Sequence, residues 1–150
     1  MSRRASIERR AARAFRLKDY PRAQRHLEEL LVLVGENPHT LHALALCCER
    51  RGLIDQALER AQRCYAVNPQ DLNNLRLLAR LHIARGAPDA GRGYVEKALE
   101  LLADRPRAGW WTRLRNRLDS THRAELEWRR WAREFIRAPR EDEAPGDDAP

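Results

Sequence analysis

Leu41–Gly52 reads LHALALCCERRG, and Leu75–Gly86, one step of 34 residues later, reads LRLLARLHIARG. Both stretches carry leucine at the first and fourth positions, alanine at the fifth and glycine at the twelfth. The same register, run back once more, puts Ile7, Ala11 and Lys18 on the first, fifth and twelfth marks. Apolar residues at i, i+3, i+4 and i+7 make one face of a helix, and a terminal glycine favours the left-handed conformation that stops it. Downstream, Ala23, Ala57 and Gly91 align, as do Leu30, Cys64 and Ala98, followed by Leu31, Tyr65 and Leu99. Each copy therefore predicts two helices joined by a short turn. Small residues facing each other (Ala45 with Ala57, Ala79 with Gly91) would let the pair approach closely. Asn37-Pro38 and Asn68-Pro69 close the second helices, since the residue before a proline avoids helix and proline suits a new first turn.

This pattern resembles the tetratricopeptide repeat, which runs Trp-x-x-Leu-Gly-x-x-Tyr, then Ala-x-x-x-Phe, then Pro. The resemblance spans about residues 4–105 in three copies, 4–37, 38–71 and 72–105. It implies an all-α chain: an α-solenoid of three antiparallel helix pairs with an additional C-terminal helix or helices. The copies depart from the pattern in places. Ile7, Leu41 and Leu75 replace the leading aromatic, and Arg10 stands where Leu44 and Leu78 do, which suits an exposed end of the stack. Proline closes only the second copy in register; Gly35 and Ala103 replace it elsewhere, with Pro38 and Pro106 three residues on.

Composition narrows the class. The chain has 150 residues, 43% hydrophobic and 34% charged, enough apolar side chains for a packed core in one domain. Its longest aliphatic run, Leu30–Val34, is far shorter than the roughly 20 residues a membrane span needs. Three cysteines without a Cys-x-x-Cys pair exclude a disulfide scaffold and a zinc ribbon. The Arg-rich start lacks the apolar core of a secretory signal, so a cytoplasmic chain of bacterial type is the expectation. Net charge is +7, with +6 in residues 1–22, +6 in 105–138, −1 in 23–104 and −4 in 139–150. A basic balance attracts acidic proteins, anionic lipid or nucleic acid, although only two of the 29 basic residues are lysine, a bias that codon composition also produces.

The resemblance implies a concave surface lined by the first helices, where ligand peptides lie. Carried over by position, it nominates Ala12, Phe15 and Arg16 from copy 1, and His39, His42, Leu46, Glu49 and Arg50 from copy 2. Copy 3 supplies Asn73, Arg76, Leu77, Arg80 and Ile83. An aliphatic floor beside arginines suits a partner peptide or helix with apolar and acidic residues, because a guanidinium grips a carboxylate with two parallel hydrogen bonds. Relatives that bind the acidic C-termini of heat-shock chaperones use a clamp of lysine, asparagine and arginine. Its positions here are Glu8, Ala12, Ala43, Asn73 and Leu77; the set does not match, and no such clamp is expected.

Residues 106–138 read as a capping helical segment. Five of the nine aromatics fall between Trp110 and Phe135. Trp111, Leu114 and Leu118 form one stripe, and Ala124, Trp128, Trp131 and Phe135 another. Asp119-Ser120-Thr121 offers a cap for a second helix; one continuous helix is the alternative. Trp110, Trp111, Trp128, Trp131 and Phe135 either seal the open apolar face of the last repeat or form a second interface for a partner or another copy. Residues 139–150 have no apolar anchor and read as a disordered acidic tail.

Catalytic chemistry is not evident. No phosphate-binding glycine loop is present. His39-x-x-His42, His26-x-x-Glu29 and His122-x-x-Glu125 are each half of a metal site, on separate helices, so neither metal nor cofactor is expected. Cys48 and Cys64 fall on core positions, and Cys47 is expected to be partly exposed without a base to activate it. The leading reading is a non-catalytic adaptor, or an assembly or secretion chaperone. A helical repeat binding RNA or DNA through the basic ends and the Trp/Arg helix is the second. A structural subunit that self-associates, as a homodimer for instance, through the tryptophan stripe is the third.

Overall fold

The structure, a computed structural model, describes residues 2–104 and 120–138. Its helices are α1 (Arg3–Arg16), α2 (Tyr20–Val34), α3 (Pro38–Arg50), α4 (Ile54–Val67), α5 (Leu72–Ala84), α6 (Pro88–Ala103) and α7 (Ser120–Arg137). Among the described residues there is no strand. The chain divides into two compact units, residues 1–94 and 95–150.

In the first unit the 34-residue period is written into the backbone. Lys18, Gly52 and Gly86 all take positive φ, at 59°, 75° and 82°. At each turn the same two bonds recur. Lys18, Gly52 and Gly86 donate to Phe15, Glu49 and Ile83 at 3.0 Å, while Asp19, Leu53 and Ala87 donate to Ala14, Cys48 and His82 at 2.9 Å. These are the two bonds of a Schellman stop, which satisfies carbonyls a helix end would otherwise leave bare. Side chains then start the next helices: Asp19 accepts from Arg22 N–H, Asn37 from Thr40 N–H and Asp71 from Asn73 and Asn74 N–H. Pro38 opens α3, where its missing N–H costs nothing.

The repeated apolar positions are core. Ile7, Leu41 and Leu75 are fully buried, as are Leu44 and Leu78, whereas Arg10 at the matching place on α1 is exposed. Two clusters flank α3. One gathers Ala11, Ala14, Ala23, Leu27, Leu44 and Cys47; the other gathers Ala45, Cys48, Ala57, Leu58, Ala61 and Leu77, among others. Cys47 is thus fully buried, not partly exposed as the sequence reading has it. Helix α3 packs against α2 on one side and α4 on the other, so adjacent cysteines fall into different clusters and neither reaches solvent. Close approach at the small-residue positions is tightest at Gly91, where a Cβ would lie 3.0 Å from the Ala79 carbonyl oxygen.

In the second unit Val95, Ala98, Leu102 and Ala132 are buried. On α7, Trp128 and Trp131 have ring centroids 6.3 Å apart, and Trp131 stacks on Phe135 at 5.2 Å. Trp131 remains 38% exposed. Ala124, expected on the same stripe, is exposed. Trp110, Trp111 and residues 139–150 lie outside the described residues, as does most of the linking segment between α6 and α7.

Two substitution pairs test this geometry by thermal or urea unfolding. Lys18→Gly removes the cost of a side chain at positive φ and should stabilise by about 1 kcal/mol, while Gly52→Ala should destabilise by a similar amount. Gly91→Val drives carbon into the Ala79 carbonyl and should cost roughly 1–3 kcal/mol. Gly93→Ala, two residues on in the same helix with open space around it, should gain about 0.5–1 kcal/mol from helix propensity.

Candidate peptide-binding surface

Helix α1 turns one stripe toward α3. Between them lies a cleft of about 690 Å³ whose floor includes Ala12, Phe15, Leu27, Ala43 and Leu46. Phe15 is held edge-on against Tyr20, centroids 5.4 Å apart, at the start of α2. Leu46 also packs against the cluster around Ala45 and Cys48, so the floor is the outer surface of the core. Arg9, Arg13 and Arg16 form the rim. The structure therefore brings together four of the nominated residues, Ala12, Phe15, Arg16 and Leu46. Arg9, Arg13 and Ala43 complete the cleft and were missed as groove residues. Helical spacing could have found the arginines, because 9, 13 and 16 run down one edge of α1.

Farther along α3 the surface is polar and self-satisfied. Arg80 of α5 grips Glu49 of α3 with two bonds of 3.0 Å each, the bidentate arrangement the sequence reading reserved for a ligand carboxylate. His42 Nδ1 lies 3.4 Å from Asn74 Oδ1. Asn74 is fully buried and donates to the Ala61 carbonyl at 2.8 Å, tying α5 to α4. The sequence reading takes Asn73, which is exposed and whose backbone N–H donates to the Asp71 carboxylate at 3.0 Å. The period carries the missing signal: Thr40, one repeat earlier than Asn74, is also a buried polar residue.

One nominated residue, Leu77, packs inward, contrary to the expectation that it lines the groove. Leu77 is fully buried with Leu78 and Leu81 in the cluster under Leu46, because α5 meets α4 on that side. Ile83 is half-buried, and its Cγ1 comes within 3.4 Å of where a Gly91 Cβ would stand, beside the α5–α6 contact. Arg50 is exposed and Arg76 half-buried. His39, also exposed, borders a separate hollow of about 340 Å³ with Leu30 and Val34.

The thiols offer no chemistry. Burial pushes Cys47 up to about 11, with Cys48 beside it adding to the effect, and burial with the nearby Asp71 does the same for Cys64. Cys48 is raised as well, chiefly by burial. Cys64 donates its S–H to the Pro38 carbonyl at 3.3 Å. His26 sits 3.9 Å from Glu29, and among the described residues no group of three or more His, Cys, Asp or Glu could hold a metal ion.

Helix pairs turning at a 34-residue period on left-handed residues, with small residues at the crossings, define the tetratricopeptide-repeat fold, and the chain has it. No family model matches the sequence, and no curated protein matches it either. Solved structures do. PcrH from Pseudomonas aeruginosa, in complex with the chaperone binding region of PopB, superposes with a TM-score of 0.67 at 18% identity, over 90% of this chain and 97% of that one. The Yersinia enterocolitica type III secretion translocator chaperone SycD gives 0.64 at 18% identity, over 83% and 92% of the two chains. The Sgt2 tetratricopeptide domain from Aspergillus fumigatus gives 0.65 at 18%, over 100% and 90%. Among the described residues no helix is long and apolar enough to cross a membrane.

Cysteine burial gives a direct check. Native protein should leave all three thiols unreactive toward a chromogenic disulfide reagent for as long as the fold persists, and denaturant should release all three together. Rapid labelling of Cys47 in the native state would contradict its place in the core.

Proposed function

We propose that this chain is a non-catalytic protein-binding adaptor, of the assembly- or secretion-chaperone kind, that holds a segment of a partner protein in the α1–α3 cleft. The observation that carries the proposal is the cleft itself: an open, apolar floor on a rigid helical wall, large enough for one or two bulky side chains. Burying those side chains would supply roughly 25 cal/mol per Å² of apolar area. Amphipathic partner segments meet such grooves by placing anchors at helical or alternate spacing. Structural neighbours support the reading, since PcrH is seen with the chaperone binding region of PopB and SycD is a translocator chaperone. Their identity to this chain is low, so the partner is defined here by chemistry and not by analogy.

A photoreactive phenylalanine tests the site in cells. Placed at Ala12 in the cleft, it should crosslink a discrete partner protein. At Gln56, exposed on α4, it should yield none. Equal labelling from both positions, or a partner captured from Gln56 alone, would move the site off the cleft.

A further inference from the structure

Within the first unit the space between α1 and α3 and the space between α3 and α5 are bounded by corresponding residues, 34 positions apart, yet they are filled differently. On the α3–α5 side Leu46 packs on the cluster that holds Leu77, and Leu77 has no solvent exposure. One repeat earlier the corresponding residues are Ala12 and Ala43. Both line the cleft, Ala12 exposed and Ala43 half-buried. Each alanine is short of a leucine by an isopropyl group. On the α3–α5 side Glu49 and Arg80 also bridge the two helices with bonds of 3.0 Å. Their counterparts at the cleft are Phe15 and Leu46, which have no charge to bridge with. Phe15 is held edge-on against Tyr20, and the space beside it stays open at about 690 Å³.

We infer that the partner supplies the missing leucines: two neighbouring branched aliphatic side chains, one seated over Ala12 and one over Ala43. The inference rests on the cleft being the binding site and adds the kind and number of anchors it takes. Its template is internal. Leu46 belongs both to the cleft floor and to the packed α3–α5 face, so the cleft continues an interface whose filled form stands one repeat on. A gap left by shortening a leucine deprives its lining of dispersion contacts. Carbon of the same shape restores them, and a partner's leucine-like side chain provides it. Charged anchors fit poorly, because Ala12, Phe15, Leu27, Ala43 and Leu46 give a desolvated charge on the floor no hydrogen-bonding side chain. The two anchors sit side by side. On a helical partner they are therefore three or four residues apart, and on an extended one two apart.

A library of random 16-residue peptides on phage, selected on the full chain, tests this. Wild type should enrich peptides with two Leu, Ile or Val residues at those spacings. Ala12→Leu with Ala43→Leu rebuilds the α3–α5 arrangement inside the cleft. Synthetic copies of the selected peptides should bind that doubly filled chain at least about tenfold more weakly by fluorescence anisotropy, with circular dichroism confirming the fold. The single fills are the sharper test. Selection on Ala12→Leu alone, or on Ala43→Leu alone, should return peptides that keep one of the two anchors. Peptides from both single fills that still carry the full pair would overturn the inference. Aromatic or charged residues enriched on wild type in place of the aliphatic pair would do so too. If the double fill then abolishes their binding, the cleft stands as the site and only the leucine-like pair falls. If the double fill binds the wild-type peptides undiminished, both fall.

Discussion

Close approach between paired helices is the constraint on which the fold depends. Gly91 makes it visible, since a methyl group there would meet the Ala79 carbonyl oxygen at 3.0 Å. Ala45 and Ala57 occupy the same relation one repeat earlier, both with no solvent exposure. Helices that approach this closely bring their flanking leucines into contact over their whole length, and packing at interior density supplies most of the stability. Larger residues at these positions would push the pair apart and open gaps along both sides. A small residue every 34 positions is therefore a condition on every other contact.

The turns convert that local condition into an array. Each left-handed residue, Lys18, Gly52 and Gly86, ends one helix and delivers the chain to the start of the next within three residues. The bond lengths at the three turns agree to within 0.1 Å, so successive pairs begin from the same geometry. Asp19 shows how economical the joint is. Its amide closes the α1 stop and its carboxylate caps α2. With α3 packed on both sides, its Cys47 and Cys48 serve separate clusters. The α1–α3 cleft then exists because α1 and α3 are each tied to α2 and not to one another's full length. Its floor is core that no helix of the first unit covers.

Periodicity made the helices, their ends and most of the core legible in the sequence. It identified Lys18 as the equivalent of two glycines, an assignment that no single repeat would support. What it could not supply was which side of a helix faces which neighbour. Leu77 sits on the correct helix for a groove but turns into the core beside α4, and nothing in its own repeat distinguishes it from Leu46. Cys47 failed for the same reason, since exposure depends on a second neighbour that the pattern of its own repeat does not encode. Asn73 and Asn74 are chemically identical, and only the buried bond to the Ala61 carbonyl separates a solvated residue from a structural one. Arg9 and Arg13 lie on the edge of α1 beside Arg16, an edge that helical spacing defines but the repeat's family positions do not mark.

Charge on α1 has a different meaning once its surroundings are known. As composition, six arginines in the first sixteen residues suit nucleic acid as well as an acidic protein. In the folded chain they diverge: Arg3 and Arg4 turn to Glu29 and Glu8, and Arg9, Arg13 and Arg16 border an apolar floor. A phosphate backbone gains little from such a floor, because its affinity comes from many cations spread along a continuous track. Surface pairs are individually worth about 1 kcal/mol or less. Arginines at the cleft's edge are therefore too weak to hold a partner by themselves. In the reading proposed above, affinity comes from an apolar anchor on the floor, and a floor of that kind suits a protein segment better than a phosphate backbone.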